Sequence, residues 1–192
     1  KWIKEFDGTA HATPLDLAKH CDFIFICVGR DEDVLDVTSG SKGIFNSIKP
    51  GALVVDHTTT SAKLSRELGR IADNLGCSFL DAPVSGGEKG AIDGKLAIMC
   101  GGSKESFMSV KPVMKSYSSR ISLMGPVGSG QLCKMVNQIC IAGLIQSLSE
   151  GINFAINAGL KVDQVIEIIS QGAAQSWQMD NRALTMSKNM FD

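Results

Sequence analysis

Short, uninterrupted apolar runs punctuate the first part of the chain. Residues 22–28, from Asp22 through Phe23, Ile24, Phe25, Ile26 and Cys27 to Val28, end at Gly29. Residues 52–55 follow a Pro50-Gly51 turn and end at Asp56, and residues 77–80 end at Asp81-Ala82-Pro83. Runs this short, rich in β-branched and aromatic side chains and apolar on both faces, predict buried parallel strands. The gaps between them hold enough chain for the helix that each βαβ unit requires. In the second gap Leu64, Leu68, Ile71 and Ala72 share one helical face, with Ser61 as N-cap and Gly76 as stop. Residues 96–100 predict a fourth strand, Ser103 caps a helix holding Phe107, Val110 and Met114, and residues 121–124 predict a last strand before Gly125-Pro126.

The pattern changes after Gly130. Residues from Gln131 to about 158 read as one long helix, with Leu132, Met135, Val136, Ile139 and Gly143 in a stripe and a middle that is apolar almost all round. Such a helix is expected to be buried on several sides. Gly159 ends it, residues 162–170 form another helix with Val165, Ile166 and Ile169 inward, and Ser176-Trp177 begins a third. Strands followed by helices predict two domains. They are an α/β domain over 1–127 and an all-α domain over 128–192, joined by a long helix at about 130–158.

Composition narrows the function classes. The net charge of -1 and pI of about 6.3 disfavour nucleic acid as a partner, because phosphate neutralisation needs a basic surface. The uncharged stretch between Lys134 and Glu150 contains Asn137, Gln138 and Gln146, and is read as too short and too polar for a membrane span. The cysteines at 21, 27, 77, 100, 133 and 140 form no CxxC pair and are expected to be buried thiols in a reducing, cytoplasmic compartment. His11, His20 and His57 show no ligand spacing with them, so no metal is expected. The chain opens on Lys1-Trp2 without an initiator methionine and stops at Phe191-Asp192 without punctuation, so it is read as a piece of a longer protein.

Polar residues gather at the strand exits, where parallel α/β sheets bind ligands. Gly29-Arg30-Asp31, residues 56–60 (Asp56, His57, Thr58, Thr59, Thr60) and Ser85-Gly86-Gly87 mark three of them. Each alone fits turn chemistry; the three together favour a cofactor crevice. In Ser85-Gly86-Gly87, paired glycines admit close backbone approach and consecutive N–H groups can hold an anion, a carboxylate being the natural guest. Lys134, Asn137 and Gln138 fall at i, i+3 and i+4 on one helix face. Lys134 stands at the edge of an apolar stretch. It either snorkels to water or, desolvated, titrates nearer neutrality and serves as a general acid/base.

These motifs resemble those of the β-hydroxyacid dehydrogenases. Asp81-Ala82-Pro83-Val84-Ser85-Gly86-Gly87-Glu88, with Gly90, Ala91 and Gly94 beyond, is similar to the family's substrate-binding signature. Gly128-x-Gly130-x-x-x-Lys134-x-x-Asn137-Gln138 resembles its catalytic-lysine motif, and Asp56-His57-Thr58-Thr59 its cofactor loop. The resemblance implies a Rossmann-like, doubly wound parallel sheet followed by an all-α domain. It implies NAD or NADP as cofactor, with Val28, Gly29 and Thr59 at the nicotinamide half. Lys134 is implied as general acid/base on a short 3-hydroxy acid, Ser85, Gly86 and Gly87 as holders of its carboxylate, and Asn137 and Gln138 as groups that orient the reacting end and Lys134. No metal is implied for the chemistry. The family's first βαβ unit with its glycine-rich turn, and part of its C-terminal domain, are missing from the residues given. Many relatives carry proline at the Gly29 position. Relatives bury the long helix against further helices and often a second subunit, which implies a homodimer or homotetramer. A non-catalytic relative, or an imine or ketone reductase on the same fold, is the competing reading; some relatives of the first kind have lost the lysine, and those of the second usually replace it.

Overall fold

The computed structural model describes residues 2–190; Lys1, Phe191 and Asp192, the outer limits of the two expected domains, lie outside the described residues. The chain divides into two compact units, Lys1–Met135 and Val136–Asp192.

The first unit runs through α1 (Trp2–Glu5), α2 (Pro14–Ala18), β1 (Phe23–Ile26), α3 (Asp31–Ser39), a 3-10 turn (Ile44–Asn46), β2 (Leu53–Asp56) and α4 (Ala62–Asn74). It continues through β3 (Ser78–Asp81), β4 (Val84–Ser85), α5 (Gly87–Ile92), β5 (Leu96–Gly101), α6 (Lys104–Met114), β6 (Ser118–Gly125) and the opening turns of α7 (Ser129–Asn157). β1, β2 and β3 pair in parallel, with Ile26, Asp56 and Asp81 side by side at their carboxyl ends. β5 and β6 are also parallel. Between the two groups the direction reverses, since β5 is antiparallel to both β3 and β4. The connection between β3 and β5 is occupied by the two-residue β4, itself antiparallel to β5, and the six-residue α5.

The sheet is covered on both faces. Val54 and Phe79 pack with Leu64, Leu68 and Ala72 of α4, while Leu53, Val55 and Leu80 pack with Phe107, Val110 and Met114 of α6. Two-sided burial explains why β2 and β3 are apolar at successive positions. β1 departs from that expectation. Ile24 and Ile26 are buried, but Phe23 and Phe25 are each 39% exposed. The expected caps form, with the Ser61 hydroxyl accepting from Leu64 N–H at 3.1 Å and Ser103 from Ser106 N–H at 3.0 Å. The expectation of buried thiols holds for Cys77 and Cys100; Cys27 and Cys140 are exposed, Cys21 and Cys133 half-buried, and all six are free.

In the second unit Leu148, Ile152, Met179 and Ala183 form a small core with Val162, Ile166 and Met186 against it. α8 (Val162–Ile169) and α9 (Trp177–Ser187) supply its other walls. Ile169, expected inward, lies exposed on the rim. The larger correction concerns α7. Its predicted stripe is not buried, with Val136 and Ile139 exposed, Ile139 at 73%. Helices that could bury that stripe on several sides are not among the described residues. Among those residues α7 is also the one helix long and apolar enough to cross a membrane by length and composition. The uncharged stretch between Lys134 and Glu150 is shorter than the helix, which continues past both charges.

Candidate active site

The exits of β1, β2 and β3 converge on the start of α7. Asp81, last residue of β3 and fully buried, accepts from Gly128 N–H at 2.6 Å through Oδ1 and from Gln131 N–H at 2.8 Å through Oδ2. Its carboxylate therefore caps the positive end of a 29-residue helix. Burial raises the Asp81 pKa, and these N–H bonds oppose the rise. Gly130 makes the approach possible, because a Cβ there would collide with the carbonyl oxygens of Met99 and Asp81.

Asp56 ends β2 and is also fully buried. Its Oδ1 accepts from Thr58 N–H at 2.9 Å, and its Oδ2 has no partner among the described residues; burial pushes its pKa up to about 6. The loop beyond alternates, with Thr58 and Thr60 buried and Thr59 exposed between them. Thr58 Oγ1 accepts from Val28 N–H at 3.0 Å, which ties the β1 exit to the β2 exit. His57 is held at Nδ1 by the Ala82 carbonyl, 2.6 Å away, and at Nε2 by the Tyr117 hydroxyl, 2.9 Å away; burial lowers its pKa.

Lys134 is 8% exposed and its Nζ donates to the Val84 carbonyl at 2.8 Å. Val84 immediately precedes Ser85, so the lysine reaches the Ser85-Gly86-Gly87 segment. It has no ion-pair partner among the described residues, and burial holds its pKa below the ordinary lysine value. Gly86 and Gly87 have φ of 133° and 61°, a left-handed backbone that needs glycine. Ser85 is half-buried, and both glycines are exposed where the chain turns into α5.

The structure thus gathers Lys134 with the Val84–Ser85 strand, and Val28 with Thr58 beside Thr59. Val28, Gly29 and Thr59 are exposed at adjacent strand exits. Asn137 and Gln138 belong to the second unit, where Asn137 Nδ2 donates to Gln138 Oε1 at 3.0 Å. Sequence reasoning missed Gln131 and Tyr117. Gln131 is fully buried three positions before Lys134, a polar residue on a face the pattern left unexamined. Tyr117, the single tyrosine of the chain, gave no periodic signal. An NAD or NADP nicotinamide fits this part of the structure. Small or exposed residues line adjacent exits, the loop behind them is hydrogen-bonded to Asp56, Gln131 and Val28, and buried Asp56 Oδ2 and Thr60 Oγ1 lack partners among the described residues.

Comparison with known proteins gives a consistent result. The NAD binding domain of 6-phosphogluconate dehydrogenase matches residues 1–125, and the domain described as NAD-binding of NADP-dependent 3-hydroxyisobutyrate dehydrogenase matches residues 128–192. An uncharacterized oxidoreductase of Shewanella frigidimarina is 50% identical over 192 residues, which is 100% of this chain and 66% of that protein. A probable mitochondrial 3-hydroxyisobutyrate dehydrogenase-like protein of Arabidopsis thaliana is 40% identical over 169 residues, 88% of this chain and 56% of that protein. A crystal structure of 3-hydroxyisobutyrate dehydrogenase from Salmonella typhimurium superposes with a TM-score of 0.83 at 28% identity, covering 94% of this chain and 63% of that one. The chain therefore spans between about half and two thirds of the length of these relatives.

Proposed function

This chain belongs to the β-hydroxyacid dehydrogenase family of NAD(P)-dependent oxidoreductases, and from that premise we propose that the whole protein interconverts a short 3-hydroxy acid and its semialdehyde or keto form, with Lys134 as the general acid/base. The observation that carries this reading is the buried, carboxylate-free Lys134 hydrogen-bonded to Val84 beside Ser85-Gly86-Gly87. A desolvated amine deprotonates more readily than a solvated one, and a proton-transfer group works best when its pKa lies near the working pH. The neutral amine takes the hydroxyl proton while the carbinol carbon becomes a carbonyl; in reduction the ammonium returns it. The nicotinamide, when bound, accepts or supplies the hydride.

Within this reading Ser85 and the glycine N–H groups bind the substrate carboxylate, and Asn137 and Gln138 orient the reacting end. Val28, Gly29 and Thr59 meet the nicotinamide half of NAD or NADP. The exposed apolar surface of the second unit supports a homodimer or homotetramer of the whole protein. The net charge of -1 lends no support to a nucleic-acid partner, and a small carboxylate is the substrate this reading assigns.

The test is an assay of the whole protein for NAD(P)H formation with a panel of short 3-hydroxy acids, alongside NAD(P)H consumption with cyclic imines. Turnover of 3-hydroxy acids is expected. Turnover confined to imines would move the protein to the imine-reducing reading, and no turnover of either would support a non-catalytic role.

A further inference from the structure

The side chain of Gln131 grips the backbone on either side of Thr59. Its Oε1 accepts from Thr60 N–H at 3.0 Å, and its Nε2 donates to the Thr58 carbonyl at 2.7 Å. The amide orientation is dictated by its partners, because an N–H must meet the oxygen and a C=O must meet the NH2 group. The same residue's backbone N–H bonds to Asp81, and Thr58 in turn holds Val28. Its fully buried side chain thus joins the β2 exit, its backbone N–H joins the β3 exit, and Thr58 relays the link to the β1 exit, all at the start of the helix that presents Lys134 one turn later.

We propose that Gln131 is a positioning residue whose side-chain amide sets the Thr58–Thr60 backbone, and through it Thr59 and Val28, in the conformation that receives the cofactor. The inference rests on the functional reading above and deepens it. A residue that merely satisfied two buried backbone groups would affect folding stability and leave cofactor affinity unmoved. A positioning residue changes affinity according to whether its bonding pattern is reproduced. Methionine matches the volume and makes neither bond. A protonated glutamic acid makes both, with C=O toward Thr60 N–H and O–H toward the Thr58 carbonyl. An ionised glutamate only accepts, and so opposes the Thr58 carbonyl.

The test is fluorescence titration of the whole protein with NADH and with NADPH as pH varies, for the unsubstituted protein, Gln131→Met and Gln131→Glu. Gln131→Met is expected to weaken binding about tenfold or more at every pH, corresponding to about 1.4 kcal/mol per tenfold. Gln131→Glu should bind nearly as the unsubstituted protein does below about pH 6 and fall to the Gln131→Met level above about pH 8, since burial raises a carboxyl pKa into that range. The titratable groups on the surrounding elements are Asp31 on α3, Asp56 and His57 at the β2 exit, Asp81 on β3 and Lys134 on α7. They are common to all three proteins, so their own titration cancels in the ratio. Should Gln131→Met fail to fold by thermal melting, the pH response of Gln131→Glu decides alone. Unchanged affinity in Gln131→Met, or a Gln131→Glu protein without recovery on acidification, overturns the inference and leaves the functional reading intact. An unsubstituted protein that binds neither cofactor overturns both.

Discussion

Two regions of this chain invert the usual distribution of polarity, in opposite senses. At the strand exits of the first unit, Asp56, Asp81 and Gln131 are completely buried and Lys134 nearly so. In the second unit Ile139 and Phe154 are 73% and 71% exposed, with Val136, Leu144 and Ile145 exposed as well. Buried polar groups and exposed apolar patches are the informative departures from the general rule. The first inversion is compensated for all but Asp56 Oδ2 and Thr60 Oγ1 among the described residues: Asp81 takes two helix N–H groups, Gln131 both sides of Thr59, and Lys134 the Val84 carbonyl. The second has no such compensation among the described residues. Polar burial that a fold satisfies within itself points to chemistry at that place, whereas apolar exposure that it leaves uncovered points to another surface.

The comparison can be broken or sharpened by substitution. The largest effect is expected at Lys134. In the whole protein Lys134→Ala should lower kcat about 10²–10⁴-fold with cofactor affinity nearly unchanged, read by steady-state turnover beside NAD(P)H titration. Next comes Asp56. Its folded pKa of about 6 lies above the ordinary aspartate value, so the folded chain binds a proton between those values that the unfolded chain releases. That contribution is fully present below about pH 4 and is lost as pH rises through 6, a change of at most about 3 kcal/mol. Denaturant unfolding across this window should show the decline, and Asp56→Asn should flatten it; an equally steep profile in the variant would assign the change to other carboxyls.

Ile139→Glu tests the other region. If the exposed face is covered in the whole protein, a charge there should weaken self-association by about 1.5–3 kcal/mol, the worth of one buried isoleucine. Sedimentation velocity reads the effect, and an unaltered oligomer would make the face ordinary surface. The smallest effect is expected at Gly86. A β-branched residue at φ 133° is strained, and a Cβ there meets Leu96 Cδ2 at 3.1 Å. Gly86→Val should therefore raise KM for the hydroxy acid about tenfold, the equivalent of 1.4 kcal/mol, while NAD(P)H binding persists. Unchanged KM would confine Ser85-Gly86-Gly87 to turn geometry.

Much of this was legible in the sequence, for identifiable reasons. β2 and β3 announced themselves because two-sided burial makes Leu53, Val54 and Val55, and Phe79 and Leu80, apolar in succession, and Ser61 and Ser103 because a hydroxyl before an amphipathic run caps it. The antiparallel return of β5 was not legible, since the two residues of β4 are too few for any periodicity. α3, which begins Asp31-Glu32-Asp33, is expected only as the helix that the first gap requires, and no residue pattern located it there. The exposure of Phe25 and Ile139 was misread because composition tells that a residue is apolar and not what covers it. At the site, Lys134 and the glycine pair stood out as types, while the grip of Gln131 on the Thr59 loop depends on contacts between residues 71 and 73 positions apart in the chain. No local pattern carries such a pairing.

The central claim is that Lys134 moves the substrate proton. Its most direct test is the pH dependence of kcat/KM for 3-hydroxy acid oxidation by the whole protein and by Lys134→Ala. Because burial lowers the lysine pKa and oxidation needs the neutral amine, the rate in the unsubstituted protein should rise with pH through an inflection below the ordinary lysine value of about 10.4. In Lys134→Ala the rate should be far lower and that inflection absent. A Lys134→Ala protein that keeps both the rate and the inflection would contradict the account.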